Sequence, residues 1–141
     1  MNQLKQEGSG YSYYGGFDED DSTWTEKRFD GLFGKRIRNV KWNNRKIDDL
    51  AVLTKINNLR ELFITNSQIS DLTPIAQIKS IRLIELTGSN ITDLTPFRSL
   101  PNLEYLNLHR TPVTDEQVAE FVNAKPDCRV LHPSIAENSA R

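Results

Sequence analysis

Long apolar runs are missing from this chain, so no segment reads as a membrane-spanning helix. Cysteine is nearly absent. The single residue, Cys128, excludes an internal disulfide and suits a reducing compartment. An excess of either charge is lacking too: a net charge of −1 and a pI near 6.1 leave no broad electrostatic footprint for nucleic acid or an anionic membrane. The opening residues, Met1 to Gly8, hold no apolar stretch of the length a signal peptide requires. These absences set the expectation of one soluble, cytoplasmic, monomeric protein, with neither nucleic acid nor membrane among its partners. At 141 residues it is long enough to bury a core without covalent staples.

Motifs that carry chemistry are scarce as well. "GLFGKR", from Gly31 to Arg36, lacks the spacing and the hydroxyl of a phosphate-binding loop. "DEDDS", from Asp18 to Ser22, lacks the glycine and the distal glutamate of a calcium loop. His109 and His132 lie far apart in sequence with no matching ligand pair. No cofactor or metal is therefore expected. An enzyme or ligand sensor using His109 with Glu85 or Asp127 is the rival expectation, without a motif behind it.

What the chain has is a 22-residue period. Leu59, Leu62, Ile64 and Ile69 recur one period later as Ile81, Ile84, Leu86 and Ile91, and again as Leu103, Leu106, Leu108 and Val113. One shift backwards gives Ile37, Val40, Trp42 and Ile47. All sixteen positions are apolar in a chain that is 37% hydrophobic. Chance would produce that roughly once in ten million trials. A truncated fifth copy places Cys128 and Val130 after Leu106 and Leu108, which makes the cysteine and Trp42 core residues rather than a reactive thiol and a ligand platform.

This L-x-x-L-x-L-x-x-N-x-L pattern resembles the leucine-rich repeat family. The 22-residue unit, with "ISDLTPI" and "ITDLTPF", is similar to the bacterial internalin-type subclass over roughly Ile37 to Val130. The family's asparagine slot holds Arg45, Ser67, Ser89 and Thr111 here. Ser and Thr can replace part of that asparagine's hydrogen bonding to loop backbone. Arg45 is expected to make the first repeat irregular.

The expected fold is an α/β solenoid: a curved parallel β-sheet of about five short strands, with helical or 3-10 turns on the convex side, capped at both ends. Each strand turns alternate side chains inward, and the repeats stack to share one core. Thr73-Pro74 and Thr95-Pro96 read as N-caps followed by the first position of a helical turn. Leu72, Ile75 and Ile78, repeated as Leu94, Phe97 and Leu100, face the core from that side. Asp49, Asp71, Asp93 and Asp115 recur at one slot before each turn, where a carboxylate bonds nearby backbone N–H groups; their spacing by one solenoid step argues against a metal site. Thr114 and Gln117 stand at capping-box spacing ahead of the stripe Val118, Phe121 and Val122, and Pro126 stops the helix.

The expected divisions are a flexible Gly/Tyr/acidic segment over 1–22, an N-terminal cap over 23–36 built on Trp24, Phe29, Leu32 and Phe33, the repeats with a helical C-terminal cap over 37–132, and a tail over 133–141.

The register also names the outward side chains. One file reads Asn39, Glu61, Leu83, Tyr105 and Asp127; the next reads Lys41, Phe63, Glu85, Asn107 and Arg129. Asn43, Thr65, Thr87 and His109 run beside them. Phe63, Leu83 and Tyr105 form an aromatic and aliphatic anchor in a polar rim, the make-up of an interface hot spot. Arg38, Arg60 and Arg82 stack at a neighbouring slot, either to meet an acidic surface or to pair with nearby carboxylates. The resemblance implies a non-catalytic protein-binding module whose concave face meets a protein partner. Its expected contacts are Glu61, Phe63, Thr65, Leu83, Glu85, Tyr105, Asn107, His109 and Arg129. A bacterial immunity protein that neutralises a cognate toxin is a narrower expectation.

Overall fold

A computed structural model describes residues 37–44, 46–69 and 71–134 in full, and the backbone of 3–7 and 10–14. The sixteen repeat positions are all buried: Val40, Leu62, Ile64, Ile84, Leu86, Leu106 and Leu108 are 0% exposed. One apolar cluster runs from Ile37 to Val130, with Cys128 and Trp42 inside it. The sequence period is therefore a core period.

The inward residues lie on strands β3 (Ile37–Asn43), β5 (Glu61–Thr65), β7 (Leu83–Glu85), β8 (Tyr105–Asn107) and β9 (Arg129–Leu131), which pair in parallel in that order. Parallel pairing follows because each strand is separated from the next by a return path across the other side. A second, two-stranded ladder of β4 (Lys46–Ile47) and β6 (Gln68–Ile69) follows the first turn. Those five parallel strands are the expected sheet, and two further strands extend it. β1 (Gln3–Glu7) and β2 (Gly10–Tyr14) form an antiparallel pair, and β2 runs parallel to β3. This pairing supplies the outer side of β3, whose free N–H and C=O groups would otherwise be an open edge. The N-terminal cap residues Trp24, Phe29, Leu32 and Phe33, the acidic stretch, Arg45 and the tail from residue 135 lie outside the described residues.

Opposite the sheet run 3-10 turns at Ala51–Lys55 and Thr73–Gln77, a single helical turn α1 (Thr95–Arg98) and a full helix α2 (Asp115–Ala124). Ile75, Phe97, Leu100, Val118 and Phe121 project from this side into the core, each 0% exposed. No helix among the described residues is long and apolar enough to cross a membrane.

The turns are held differently from the expectation at one point. Thr73 and Thr95 do not cap; the caps are Leu72 and Leu94, neither with a side-chain cap bond. The aspartate one residue earlier takes that role. Asp71 Oδ1 accepts the Thr73 N–H at 2.8 Å, Asp93 Oδ1 the Thr95 N–H at 2.8 Å, and Asp49 Oδ1 the Ala51 N–H at 2.6 Å. A carboxylate two residues upstream reaches an N–H that a threonine already inside the turn cannot. At these three positions the aspartate row is local turn chemistry, whereas Asp115 is the first residue of α2 and follows its cap, Thr114. At α2 the expected capping box is present: Thr114 Oγ1 accepts from Gln117 N, and Gln117 Oε1 from Thr114 N at 2.9 Å.

The asparagine slot is filled as expected by hydroxyls. Ser89 Oγ donates to Ile64 O at 3.0 Å and accepts from Ser67 N at 3.3 Å, tying two repeats together. Ser67 Oγ donates to Thr65 O at 2.9 Å, and Thr111 Oγ1 to Leu108 O at 2.7 Å.

The candidate recognition face

The face opposite the core side chains is set by strand pairing. Asn39, Glu61, Leu83 and Tyr105 are register partners, each one repeat on from the last. Lys41, Phe63, Glu85 and Asn107 form the adjacent file. Asn43 and Thr65 are partners in the third. These assignments match the sequence register.

The last step differs. Tyr105 pairs with Arg129, Leu106 with Val130 and Asn107 with Leu131, two positions beyond the repeat. Arg129 therefore stands beside Tyr105, not Asn107, and Asp127 leaves the first file. The cause is α2: a ten-residue helix replaces a turn of four or five residues, and the longer return path delays re-entry to the sheet. His132 now falls level with Leu108, and it is 8% exposed. A signal existed in the helical stripe, but Cys128 and Val130 are apolar at the repeat spacing too. Both are buried, so hydrophobicity alone does not distinguish the two registers.

Side by side on this face, Phe63, Leu83 and Tyr105 are half-buried. Leu83 sits between Glu61 and Tyr105 across the sheet, and Phe63 lies diagonally one strand away. The Lys41 ammonium lies 4.9 Å from the Phe63 ring centroid, within cation–π range. Glu61, Thr65, Glu85 and Arg129 are half-buried around them, and His109 is exposed. Asn107 is the exception among the expected contacts. It is 9% exposed, and its Oδ1 accepts the His109 N–H at 2.9 Å, so its oxygen is engaged in shaping the strand exit. A link between neighbouring repeats joins Asn43 Oδ1, as acceptor, to Thr65 Oγ1 at 3.0 Å and Asn66 Nδ2 at 3.3 Å.

The rival chemistry gains no geometry. His109 makes no ion pair or hydrogen bond with Glu85 or Asp127; Glu85 accepts from Thr87 Oγ1 at 3.4 Å instead. Among the described residues no group of three His, Cys, Asp or Glu side chains could hold a metal ion. Burial pushes the Cys128 thiol up to about 11, only partly offset by the nearby Lys125 ammonium, so it is a thiol at neutral pH.

The arginine file resolves unevenly. Arg82 pairs with the next member of the file, Glu104, its Nε 2.9 Å from Oε1. That carboxylate, by hydrogen bond and by charge, holds the Arg82 guanidinium above its ordinary range. Arg38 and Arg60 have no such partner among the described residues.

No family profile and no curated protein sequence matches the chain. Solved structures do. An internalin of Listeria monocytogenes, InlF, superposes with a TM-score of 0.59 at 25% identity, over 68% of this chain and 28% of that one. Internalin C2 of the same organism gives 0.56 at 26% identity, over 74% and 44%. The Drosophila melanogaster SNF/U2A′ complex gives 0.55 at 19% identity, over 77% and 64%, a likeness of fold alone. This chain thus spans less than half the length of either internalin chain. With a 22-residue core period, parallel stacking and these neighbours together, the chain has the leucine-rich repeat fold, and its repeats are similar to those of the internalins.

Proposed function

We propose that this chain is a non-catalytic protein-interaction module that meets a protein partner through the outward face of its sheet. The observation that carries the proposal is the placement of Phe63, Leu83 and Tyr105. Three large apolar side chains stand together, half-exposed, on the side of the strands that the core does not need. Ringed by Glu61, Glu85, Lys41 and Arg129, they have the composition of an interface centre with a polar rim. The neighbouring SNF/U2A′ structure is itself a complex, which supports interaction as the use of such a fold.

Area limits how the partner binds. Five strands about 4.8 Å apart and five residues deep give a face on the order of 300 Å², against roughly 800 Å² per partner in a standard interface. The partner therefore also touches loops or flanks. An immunity protein that neutralises a toxin is a narrower form of the same proposal and uses the same face.

The test is a pull-down from native lysate with mass spectrometry. Phe63→Ala with Tyr105→Ala is expected to keep the wild-type circular dichroism spectrum and lose at least tenfold in captured partner. Capture at the wild-type level would move the site elsewhere.

A further inference from the structure

Backbone N–H groups of Arg60, Arg82 and Glu104 donate to the carbonyls of Arg38, Arg60 and Arg82 at 2.7, 2.8 and 2.8 Å. These hydrogen bonds hold the four residues as consecutive rungs. Rungs of a parallel sheet lie about 4.8 Å apart, so Arg38 and Arg60 carry like charges from neighbouring strands. Glu104 answers the charge of Arg82. Nothing among the described residues answers the other two, although Arg60 is exposed and Arg38 half-buried.

A cleft of about 360 Å³ opens at this end of the strands. Arg38, Arg60 and Arg82 line it, with Glu61 and Glu104 contributing the opposite sign. Three guanidiniums against two carboxylates leave one net positive charge. That balance suits one or two carboxylates and is poor for the dense charge of a nucleic-acid backbone. Leu83 and Tyr105, members of the recognition face, form the apolar wall. The cleft is therefore continuous with the surface proposed above.

We infer that the Arg38–Arg60 cleft receives an acidic side chain from an extended peptide segment of the partner, with an apolar neighbour of that segment resting on Leu83 and Tyr105. Guanidinium forks bind carboxylates bidentately, and an incoming carboxylate relieves the repulsion between the two rungs. The Arg82–Glu104 pair fixes one wall, so Arg38 and Arg60 rather than Arg82 select the ligand. This inference rests on the outward face being the recognition surface and adds the chemistry of what it recognises.

The probe is a fluorescein-labelled hexapeptide carrying two glutamates, a leucine and a tyrosine, with a glutamine counterpart, read by fluorescence anisotropy at low and moderate salt. The intact chain is expected to prefer the glutamate peptide at least tenfold, and salt is expected to shrink that preference. Arg38→Gln with Arg60→Gln is expected to abolish the preference, while Arg98→Gln, which breaks a charge pair with Glu120 away from the cleft, leaves it intact. Equal binding of the two peptides, no binding of either at millimolar concentration, or an undiminished preference in the double variant would each overturn the inference. So would tighter binding of a twelve-nucleotide single strand than of the glutamate peptide. Phe63→Ala alone, which leaves every residue lining the cleft in place, separates the two proposals. If it weakens both peptides equally while the arginine variant changes nothing, the face stands and the acidic cleft falls. If only the arginine variant matters, the cleft stands and the wider face falls.

Discussion

At one slot of each repeat a residue stands in the left-handed backbone region, Asn44 at φ 53°, Asn66 at 50°, Gly88 at 71° and Arg110 at 56°, while Asn58 at 65° adopts it in a turn outside that slot. Three of the four are residue types that tolerate this region; arginine is not, because its Cβ crowds the following carbonyl. Arg110→Gly is expected to stabilise the fold by roughly 0.5–1 kcal/mol. At Gly88 the reverse holds. A Cβ there would lie 2.3 Å from Asn66 Oδ1, so Gly88→Ala is expected to destabilise by roughly 1–2 kcal/mol or more. Urea unfolding of both variants checks the signs. A second residue-scale expectation concerns acid. Side-chain and backbone hydrogen bonds from Thr73 and Thr95 hold Asp71 and Asp93 below the ordinary carboxylate value of 3.8. A carboxyl whose pKa is lower folded than unfolded contributes stability above its unfolded value and loses it as pH falls through its folded one. Stability is therefore expected to decline below about pH 4. In Asp71→Asn with Asp93→Asn that decline is expected to be shallower, as read by melting temperature against pH.

At the scale of elements, strands and turns were legible where one local rule decided them. The apolar period placed every inward residue of β3, β5, β7 and β8, because a one-residue slip would have turned that whole set to water. The α2 helix was legible from Thr114, Gln117 and its apolar stripe. Thr114→Ala is expected to destabilise by about 1 kcal/mol, since it removes the hydroxyl that accepts the Gln117 N–H. Thermal or urea denaturation reads that loss. The turn caps at Thr73 and Thr95 were misplaced because hydroxyl–proline and aspartate signals overlap along the same short stretch, and only geometry shows which oxygen reaches which N–H. The lengthened step to β9 was hidden for a different reason: a longer helix changes the register, while apolar residues at both spacings conceal it. The β1–β2 pair had no hydrophobic period to announce it. Its order is set by backbone pairing alongside β3, a long-range partnership that local composition does not encode.

For the whole molecule, stacking converts a repeat into a surface. Each unit is too small to bury its own apolar side, so adjacent units share one core and leave their outward side chains in files. Those files made most of the candidate site readable as residue numbers before any coordinates. They could not show that Asn107 commits its oxygen to the His109 N–H, that Arg129 shifts beside Tyr105, or that Glu104 answers Arg82. These features depend on side-chain reach and on the length of the last return path.

Hydroxyl-radical footprinting with mass spectrometry tests the inside–outside assignment on the unaltered chain, by comparing aromatic residues of similar intrinsic reactivity. Phe63 and Tyr105 are expected to oxidise readily, while Phe97, Phe121 and Trp42, at most 1% exposed, stay protected until the chain is unfolded. Protection of Phe63 and Tyr105 with rapid oxidation of Phe97 and Trp42 would reverse the two faces and contradict the account.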